Sequence, residues 1–281
     1  MTSCTPDFLD KDQVAQSFDR VAPSYEQWAG IQKTVGEYLL ERLEMVKIQP
    51  QQLLDVGAGT GRLTRALSKR YKRSMVYSID ISLKMSREAR KKAPWWFSKP
   101  HFICADAAQL PLADNSIDLL ISNLMLQWCN DIHIVFAEFA RVLKPEGALF
   151  FSTLGPDTLK ELRHSWAQVD DASHINRFLD MHEIGDALLQ AGLSHPVMDV
   201  DRFQYTYKDV KQLMTELKNI GAHNLTLGRP RGLTGKGKFQ AMLSAYEQYR
   251  LAEGTLPATY EVVYGHAWGK PSADWIKVNL V

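Results

Sequence analysis

Residues 53–63, LLDVGAGTGRL, constrain the fold more than any other part of the chain. An apolar run leads into a Gly-x-Gly-x-Gly pattern, and a helix-forming stretch follows it. Glycines at this spacing permit a tight turn and let a ligand approach the bare backbone, as at the first turn of doubly wound α/β folds. The segment therefore predicts a strand, a ligand-binding turn and a helix, in that order.

The same alternation of short apolar runs and helical segments continues to residue 153. It predicts strands at 52–56, 74–79, 101–104, 117–122 and 148–153, and helices at 62–71, 83–92 and 132–143. Such alternation predicts right-handed crossovers and a mostly parallel sheet with helices on both faces. Two helices at 11–46 precede this region, with a break at 22–24.

The alternation ends after residue 153. We expect two more strands, at 197–207 and 259–268, and helices at 181–191, 208–220 and 237–251. Thr158 and Glu161 have the spacing of a capping box that starts another helix. We expect one domain over residues 1–281: N-terminal helices at 11–46, a cofactor-binding core at 51–153, acceptor-side segments with a helical insertion at 154–258, and a last strand at 259–268.

Acidic residues follow three successive predicted strands. Asp55 ends the first, Asp80 ends the second 25 positions later (80 − 55), and Asp106 follows the third. Ligands bind at the carboxyl ends of strands in open α/β sheets. Asp80 can accept hydrogen bonds from both hydroxyls of a ribose, and Asp106 can accept one from an adenine amino group. Asp55 would repel a pyrophosphate but tolerates a cationic amino-acid cofactor.

These segments together define a predicted cofactor site. Ile81 and Met85 would flank the adenine, and Ala107 would supply backbone atoms. Asn123 and Leu124 would lie between the cofactor and the second substrate, the acceptor. The predicted set is Asp55, Gly57, Ala58, Gly59, Gly61, Asp80, Ile81, Met85, Asp106, Ala107, Asn123 and Leu124. The alternatives are a plain turn or nucleotide site, a helix N-cap at Asp80 or Ser82, and a loop acid at Asp106.

Composition excludes several classes of function. Net charge is +1, so no global charge demands a nucleic-acid partner, and no run of about 18 apolar residues suggests a membrane span. The three cysteines, Cys4, Cys104 and Cys129, have no metal-like spacing and fit a reducing compartment. The eight histidines show no ligand spacing, so we expect no metal. The acidic N-terminus predicts a cytoplasmic protein rather than a targeted one.

The ordered set LLDVGAGTG, SID, CADAAQLPL, DNSIDLLISN and RVLKPEG resembles the core of class I S-adenosylmethionine-dependent methyltransferases. The resemblance covers about residues 51–153. It implies a Rossmann-like, seven-stranded, mostly parallel α/β sheet whose last strand, which 259–268 could supply, is antiparallel. It also implies S-adenosyl-L-methionine as the cofactor.

Segments outside this core resemble BioC-type malonyl-[acyl-carrier protein] O-methyltransferases of biotin synthesis. They are KDQVAQSFDRVAPSYEQWAGIQ, SNLMLQWC, WAQVDDASHINRFLDMHEIGDAL, LKNIGAHN with GRPRGLTGK, and LPATYEVVYGHAW. Together they span nearly the whole chain. The resemblance implies esterification of the free carboxylate of malonyl carried on acyl carrier protein, or on coenzyme A.

That reaction requires positioning rather than a base. A malonyl carboxylate is ionised at pH 7 and is already a nucleophile. A cation should orient it, and Arg pairs a carboxylate through two hydrogen bonds. We predict Arg177 in HINRF for this role, with Arg141 as an alternative that also suits a structural role. Tyr25 should close over the cofactor, and Gln127 and Trp128 should line the acceptor side; simple packing is the alternative for Tyr25 and Trp128.

Acyl carrier proteins are acidic, so docking should use a local basic face. Arg229, Arg231, Lys236 and Lys238 cluster without an acid between residues 225 and 240. We prefer this cluster because the insertion belongs near the mouth of the active site. A second basic run at 84–99 has one opposing acid, and a solvated surface is the alternative for both.

Three other hypotheses remain. A related mitochondrial assembly-factor family of respiratory complex I, associated with protein arginine hydroxylation, shares an LPATY-like ending and the insertion. The acidic N-terminus, which has no arginine before Arg20, and the SNLMLQWC and HINRF segments favour the BioC type over it. The others are a methyltransferase of another small carboxylate or quinone ring, and a non-enzymatic cofactor-binding scaffold.

Overall fold

A seven-stranded sheet organises the computed structural model, which describes residues 8–93, 100–222, 224–226 and 235–271. The strands are β1 (Gln52–Val56), β2 (Met75–Asp80), β3 (His101–Cys104), β4 (Ile117–Asn123), β5 (Leu143–Leu154), β6 (Ser194–Tyr207) and β7 (Leu256–Trp268). The helices are α1 (Lys11–Val21), α2 (Tyr25–Trp28), α3 (Gly30–Glu44), α4 (Arg62–Arg70), α5 (Leu83–Lys92), α6 (Ile132–Val142), α7 (Lys160–Ala167), α8 (Met181–Gln190), α9 (Val210–Asn219) and α10 (Lys236–Tyr246).

The strand order is β3-β2-β1-β4-β5-β7-β6. Strands β1 to β5 pair in parallel, and β7 runs antiparallel to both β5 and β6. The predicted Rossmann-like sheet with an antiparallel last strand is therefore confirmed. Because five parallel strands share one direction, the carboxyl ends of β1, β2, β3 and β4 meet at one edge of the sheet.

Apolar side chains from helices cover both faces of the sheet. On one face, α3 presents Ile31, Val35, Leu39 and Leu43, which recur every fourth residue and are all buried. This spacing places them on one stripe of the helix, directed at the strands. Helices α6 and α8 supply the apolar cluster on the opposite face. Within the described ranges, no helix combines the length and apolarity needed to cross a membrane.

The N-terminal region differs from the prediction by one additional break. The predicted break at residues 22–24 separates α1 from α2, and Ala29 separates α2 from α3. Glu26 fixes the short helix α2 to the core, since its carboxylate accepts from Thr60 at 2.7 Å and pairs with Arg65 and Lys92. Helix α2 therefore lies against the predicted glycine turn.

The predicted capping box at Thr158 and Glu161 is wrong. Helix α7 begins at Lys160, and its N-terminal boundary residue Leu159 has a φ of 54° and no capping side chain. The Thr158 hydroxyl is instead bonded to the backbone of Glu261, and the buried Glu161 carboxylate accepts from the backbone and hydroxyl of Thr259. Glu161 joins α7 to β7, and Thr158 joins the turn before α7 to the same strand; both interactions connect distant parts of the chain.

Glu161→Ala should lower the free energy of unfolding by about 1–3 kcal/mol, because it leaves the buried Thr259 donors without an acceptor. Urea denaturation followed by circular dichroism measures the change. Glu161→Gln is the matched control, since its amide oxygen can still accept one bond and the loss should be smaller. Equal stability of the alanine variant and the parent would contradict this account.

Candidate active site

A cavity of about 1030 Å³ opens at the carboxyl ends of β1, β2 and β4. Helices α1 and α2 cover one side of it, and residues 154–178 with α9 form the far wall. Twelve of the sixteen predicted site residues line this cavity: Tyr25, Gly57, Gly59, Asp80, Ile81, Met85, Asp106, Ala107, Asn123, Leu124, Gln127 and Trp128. The topology thus brings together residues that are spread over a hundred positions of the sequence.

The glycine turn meets the cavity through its backbone. Gly57 has a φ of 72°, and a side chain there would collide with Met125. The amide groups of Gly57 and Ala58 both donate to the carbonyl of Ile79, at 2.8 and 3.0 Å, which fixes the turn to β2. Gly59, with a φ of 56°, leaves its cavity side open. A ligand can therefore approach this backbone closely.

Asp80 connects the turn to the next strand. Its carboxylate accepts from the amide of Gly59 and from the amide of Ser82, each at 2.8 Å. Burial raises the pKa of Asp80 to about 6 despite these two bonds. Tyr25 lies beside it, and burial followed by the charge of Asp80 raises the pKa of the Tyr25 phenol. Asp80 is thus a buried hydrogen-bond acceptor at the end of the cavity that the glycine turn forms. We call this the cofactor end, after the cofactor site predicted from the sequence.

Three predicted residues of the turn do not line the cavity. Gly61, with a φ of 77°, packs against Ala89, and Ala58 is not among the residues that line the cavity. The Asp55 carboxylate accepts from the hydroxyl of Thr64 at 2.6 Å and is buried beneath the turn. The structure therefore places Asp55 as a support between β1 and α4 rather than at the cavity surface.

Asp106 lines the cavity but has a partner that the sequence did not reveal. Lys11, at the start of α1, forms an ion pair with Asp106 at 2.5 Å, and Ala108 donates its amide to the other carboxylate oxygen at 2.9 Å. The two residues are 95 positions apart. A single lysine ahead of an amphipathic helix carries no sequence signal for this contact.

The residues after β4 are held by their own hydrogen bonds. The Asn123 amide donates to the carbonyl of Gln32 at 3.0 Å and accepts from Ser152 at 2.8 Å. The Gln127 amide donates to the carbonyl of Leu124 at 2.7 Å and accepts from Thr153 at 3.2 Å. Both side chains are thereby fixed in orientation at the cavity wall.

Trp128 both packs and lines the cavity. Its ring contacts Phe18 edge to face, with 5.2 Å between the centroids, and joins the small apolar cluster under α1. The packing alternative considered from the sequence is therefore part of its role. Trp128 joins the N-terminal helix to the segment that follows β4.

The far wall contains polar residues that sequence reasoning missed. The His174 ring stacks on Trp166 at 3.7 Å, and its Nε2 lies 2.8 Å from a carboxylate oxygen of Asp170. Asn176 is 91% buried, and its Oδ1 has no hydrogen-bond partner among the described residues. All but Asp170 line the cavity. His174 and Asn176 stand in the HINRF segment, so their neighbourhood, though not their orientation, was visible in the sequence.

The structure does not bring Arg177 into the cavity. Its side chain is 67% exposed and pairs with Glu183 at 3.2 Å, while its neighbours Asn176 and Phe178 line the cavity. Adjacent residues of an irregular, extended segment face opposite sides. Arg141 is also outside the cavity, where it bonds Glu138, Asp114 and the carbonyls of residues 110 and 112 in a structural role.

The predicted docking cluster is described only in part. Arg229 and Arg231 lie outside the described residues. Lys236 is exposed at the start of α10, and Lys238 pairs with Asp170 at 2.8 Å.

Asp55 should make stability depend on pH. Burial raises the pKa of Asp55 to about 7, the hydrogen bond from Thr64 opposes the rise, and the charge of Asp80 adds to it. A carboxyl group whose pKa is raised on folding stabilises the folded chain when protonated, so this contribution is present at low pH and is lost as pH rises from about 4 to about 7. Each unit of pKa shift corresponds to about 1.4 kcal/mol.

Asp55→Asn should therefore flatten the dependence of the free energy of unfolding on pH over this range, in the absence of ligand. Urea denaturation at a series of pH values measures it. Asp186→Asn, at an exposed position of α8, is the matched control and should keep the parental slope. An unchanged slope in the Asp55 variant would show that this carboxyl group does not titrate differently on folding.

Comparison with known proteins adds to this geometry. Residues 54–151 match the family model described as "Methyltransferase domain". The chain also aligns with phosphoethanolamine N-methyltransferase 2 of Haemonchus contortus, solved with S-adenosylhomocysteine (TM-score 0.54, 19% identity, 90% of this chain and 58% of that one). It aligns with the [4+2]-cyclase SpnF as well (TM-score 0.58, 18% identity, 95% of this chain and 100% of that one). At such identities the structures share the fold, and a fold alone does not define a reaction.

Sequence relatives are far more similar. Malonyl-[acyl-carrier protein] O-methyltransferase of Methylovorus sp. (strain MP688) is 52% identical over 270 residues, covering 94% of this chain and 90% of the relative. The protein of the same name from Gallionella capsiferriformans (strain ES-2) is 50% identical over 269 residues, covering 94% and 92%. Because this similarity covers nearly the whole chain, the chain belongs to the malonyl-[acyl-carrier protein] O-methyltransferase family.

Proposed function

We propose that this chain transfers a methyl group from S-adenosylmethionine to the free carboxylate of malonyl carried on acyl carrier protein, at the start of pimeloyl synthesis for biotin. The observation that carries the proposal is the 52% identity, over 94% of this chain, to a relative named for that reaction. Malonyl-coenzyme A, which carries the same acyl group, is the alternative methyl acceptor.

The cofactor end fits S-adenosylmethionine. The open backbone at Gly59 admits a ligand, Asp80 would accept hydrogen bonds from the ribose hydroxyls, and Asp106 would accept one from the adenine amino group. Ile81 and Met85 supply apolar walls for the ring. When bound, the cofactor supplies an electrophilic methyl group on its sulfonium. Tyr25, beside Gly59, would cover it from the side of α2.

The acceptor side suits a nucleophile that is already charged. A malonyl carboxylate, with a reference pKa near about 4, needs no base at neutral pH. Leu159, Leu162 and Trp166 form an apolar wall that excludes water from it, which strengthens its electrostatic interactions. The Gln127 amide forms hydrogen bonds through both its nitrogen and its oxygen, so its orientation in the acceptor-side wall is fixed. Methylation removes the charge, so the ester loses the interactions that held the carboxylate.

Purified protein incubated with S-adenosylmethionine labelled in the methyl group and malonyl-acyl carrier protein should form the labelled malonyl methyl ester. Mass spectrometry of the carrier detects the added methyl group. Acetyl-acyl carrier protein, which lacks the free carboxylate, is the matched control and should remain unlabelled. Intact cofactor binding without ester formation would overturn the proposal. Oxygen addition to a protein arginine would instead favour the hydroxylase hypothesis.

Arg177 remains our predicted carboxylate-orienting residue, although it must turn inward to serve. An exposed ion pair contributes only about 0–1 kcal/mol, so the Glu183 contact does not hold it strongly. Arg177→Ala should lower kcat/KM for the malonyl thioester at least about 100-fold, the value of two charge-assisted hydrogen bonds, and leave the cofactor Kd nearly unchanged. Steady-state kinetics and titration calorimetry measure the two quantities.

Glu183→Gln is the matched control, since it removes the ion pair and keeps the arginine. It should retain parental activity. If Arg177→Ala is as active as the parent, Arg177 does not contact the acceptor. If cofactor binding is lost in Arg177→Ala, its role is in the fold rather than in acceptor binding.

A further inference from the structure

One face of α9 forms the rim of the cavity on its far side. Lys211, Met214, Thr215 and Lys218 all line the cavity. Their spacing of three and four residues puts them on a single stripe of the helix. Each end of this stripe is an exposed lysine, and the residues between them form the wall. The two ammonium groups therefore flank one side of the opening.

A third cation, Arg20 of α1, also lines the cavity, and α1 packs near the C-terminal end of α9, where Lys218 lies. Helix α1 packs there, since the Ser17 hydroxyl bonds the carbonyl of Gly221 at 3.3 Å. Arg20 is one turn beyond Ser17 on α1, is exposed and also lines the cavity. Arg20, Lys211 and Lys218, which we call the rim cations, thus border the opening from two helices.

Within the described ranges, none of the rim cations takes part in an ion pair closer than 4.0 Å. This distinguishes them from Lys11 and Lys238, which also lie near the cavity but are neutralised by Asp106 and Asp170.

The carboxylates near the rim have other partners. Asp209 caps α9 through the amide of Gln212, Glu216 binds Tyr207, and Glu247 pairs with Arg250. On α1, Asp19 accepts from Ser82 and from the amide of Lys84. The positive charge at the opening is therefore available to a partner from solution.

We propose that the rim cations are the docking surface for the acidic face of the acyl carrier protein. This inference rests on the proposed function, because it assigns the surface that presents the acyl group to the same cavity. An acidic partner is attracted to unpaired cations, and complementary charge raises the association rate and fixes the orientation of docking. A thioester arm from a carrier seated there can pass along Met214 and Phe239 into the cavity.

The placement differs from both basic clusters considered from the sequence. The rim cations are isolated along the chain, at positions 20, 211 and 218, so no charge run reveals them. They line one cavity because α1 packs against Gly221, which follows α9. Lys238, which the sequence favoured, has its charge engaged by Asp170.

The test compares a carrier-borne and a carrier-free acceptor. The double variant Lys211→Glu/Lys218→Glu should lower kcat/KM for malonyl-acyl carrier protein about tenfold or more, and weaken the dependence of that rate on salt. Its kcat/KM for malonyl-N-acetylcysteamine, which has neither carrier nor phosphate, should stay within about twofold of the parental value. Fluorescence anisotropy with labelled malonyl-acyl carrier protein should show the same loss as a rise in Kd.

Lys69→Glu/Lys72→Glu is the matched control. Both lysines are exposed and neither lines the cavity; Lys69, like Lys218, lies in the last turn of its helix, and Lys72 follows the end of α4. This variant should behave as the parent with every acceptor. Cofactor binding should be unchanged in both double variants, which shows that they are folded.

The outcomes separate two failures. If the parent forms no ester from either acceptor, the proposed function fails, and carrier binding by anisotropy still decides the docking surface. If the parent is active and the rim variant binds and uses the carrier normally, the docking surface is wrong. An equal loss with malonyl-N-acetylcysteamine would also overturn it, because the lysines would then act on the acyl group. An equal loss of kcat/KM with malonyl-coenzyme A would also overturn the docking surface, since it would indicate that the lysines contact the phosphates of coenzyme A.

Discussion

The buried Asp80 carboxylate is the interaction on which the cofactor end depends. Its two bonds, to the amides of Gly59 and Ser82, hold the glycine turn after β1 against the start of α5. Burial favours its protonation, while the two amide donors favour its charge. The same carboxylate thus shapes the glycine turn and offers a hydrogen-bond acceptor to a ligand. The helices that cover this end are in turn fixed by Glu26 and by the Lys11–Asp106 ion pair.

The acceptor side depends on a different constraint, the antiparallel strand β7. Its pairing between β5 and β6 brings residues 154–178 back over the sheet, and Glu161 secures this return by binding Thr259. The apolar wall and the His174–Asp170 contact follow from that placement. One cavity therefore has a cofactor end built by the parallel strands and an acceptor end built by the late segments.

Prediction from the sequence succeeded where the signal is local. Alternating apolar runs gave the strands, and the fold they imply is confirmed. Strand ends bring Asp80 and Asp106 to one edge for the same reason. It failed at Thr158 and Glu161, where a capping pattern competes with bonds to β7, 98 and more positions away. Contacts between such distant residues leave no local sequence pattern, so they cannot be predicted from the spacing of residue types.

The sequence by itself determined the class of fold, the glycine turn, the strand-end acids and the family that these motifs share. Each depends on backbone conformation and strand direction, which short patterns encode. Only the tertiary structure decided which way individual side chains face. It placed Asp55 beneath the turn, Arg177 on the surface and Asn176 in the cavity, and it brought Arg20 and Lys218 to the wall of the same cavity. Orientation depends on packing between distant segments, and that information exists only once the chain has folded.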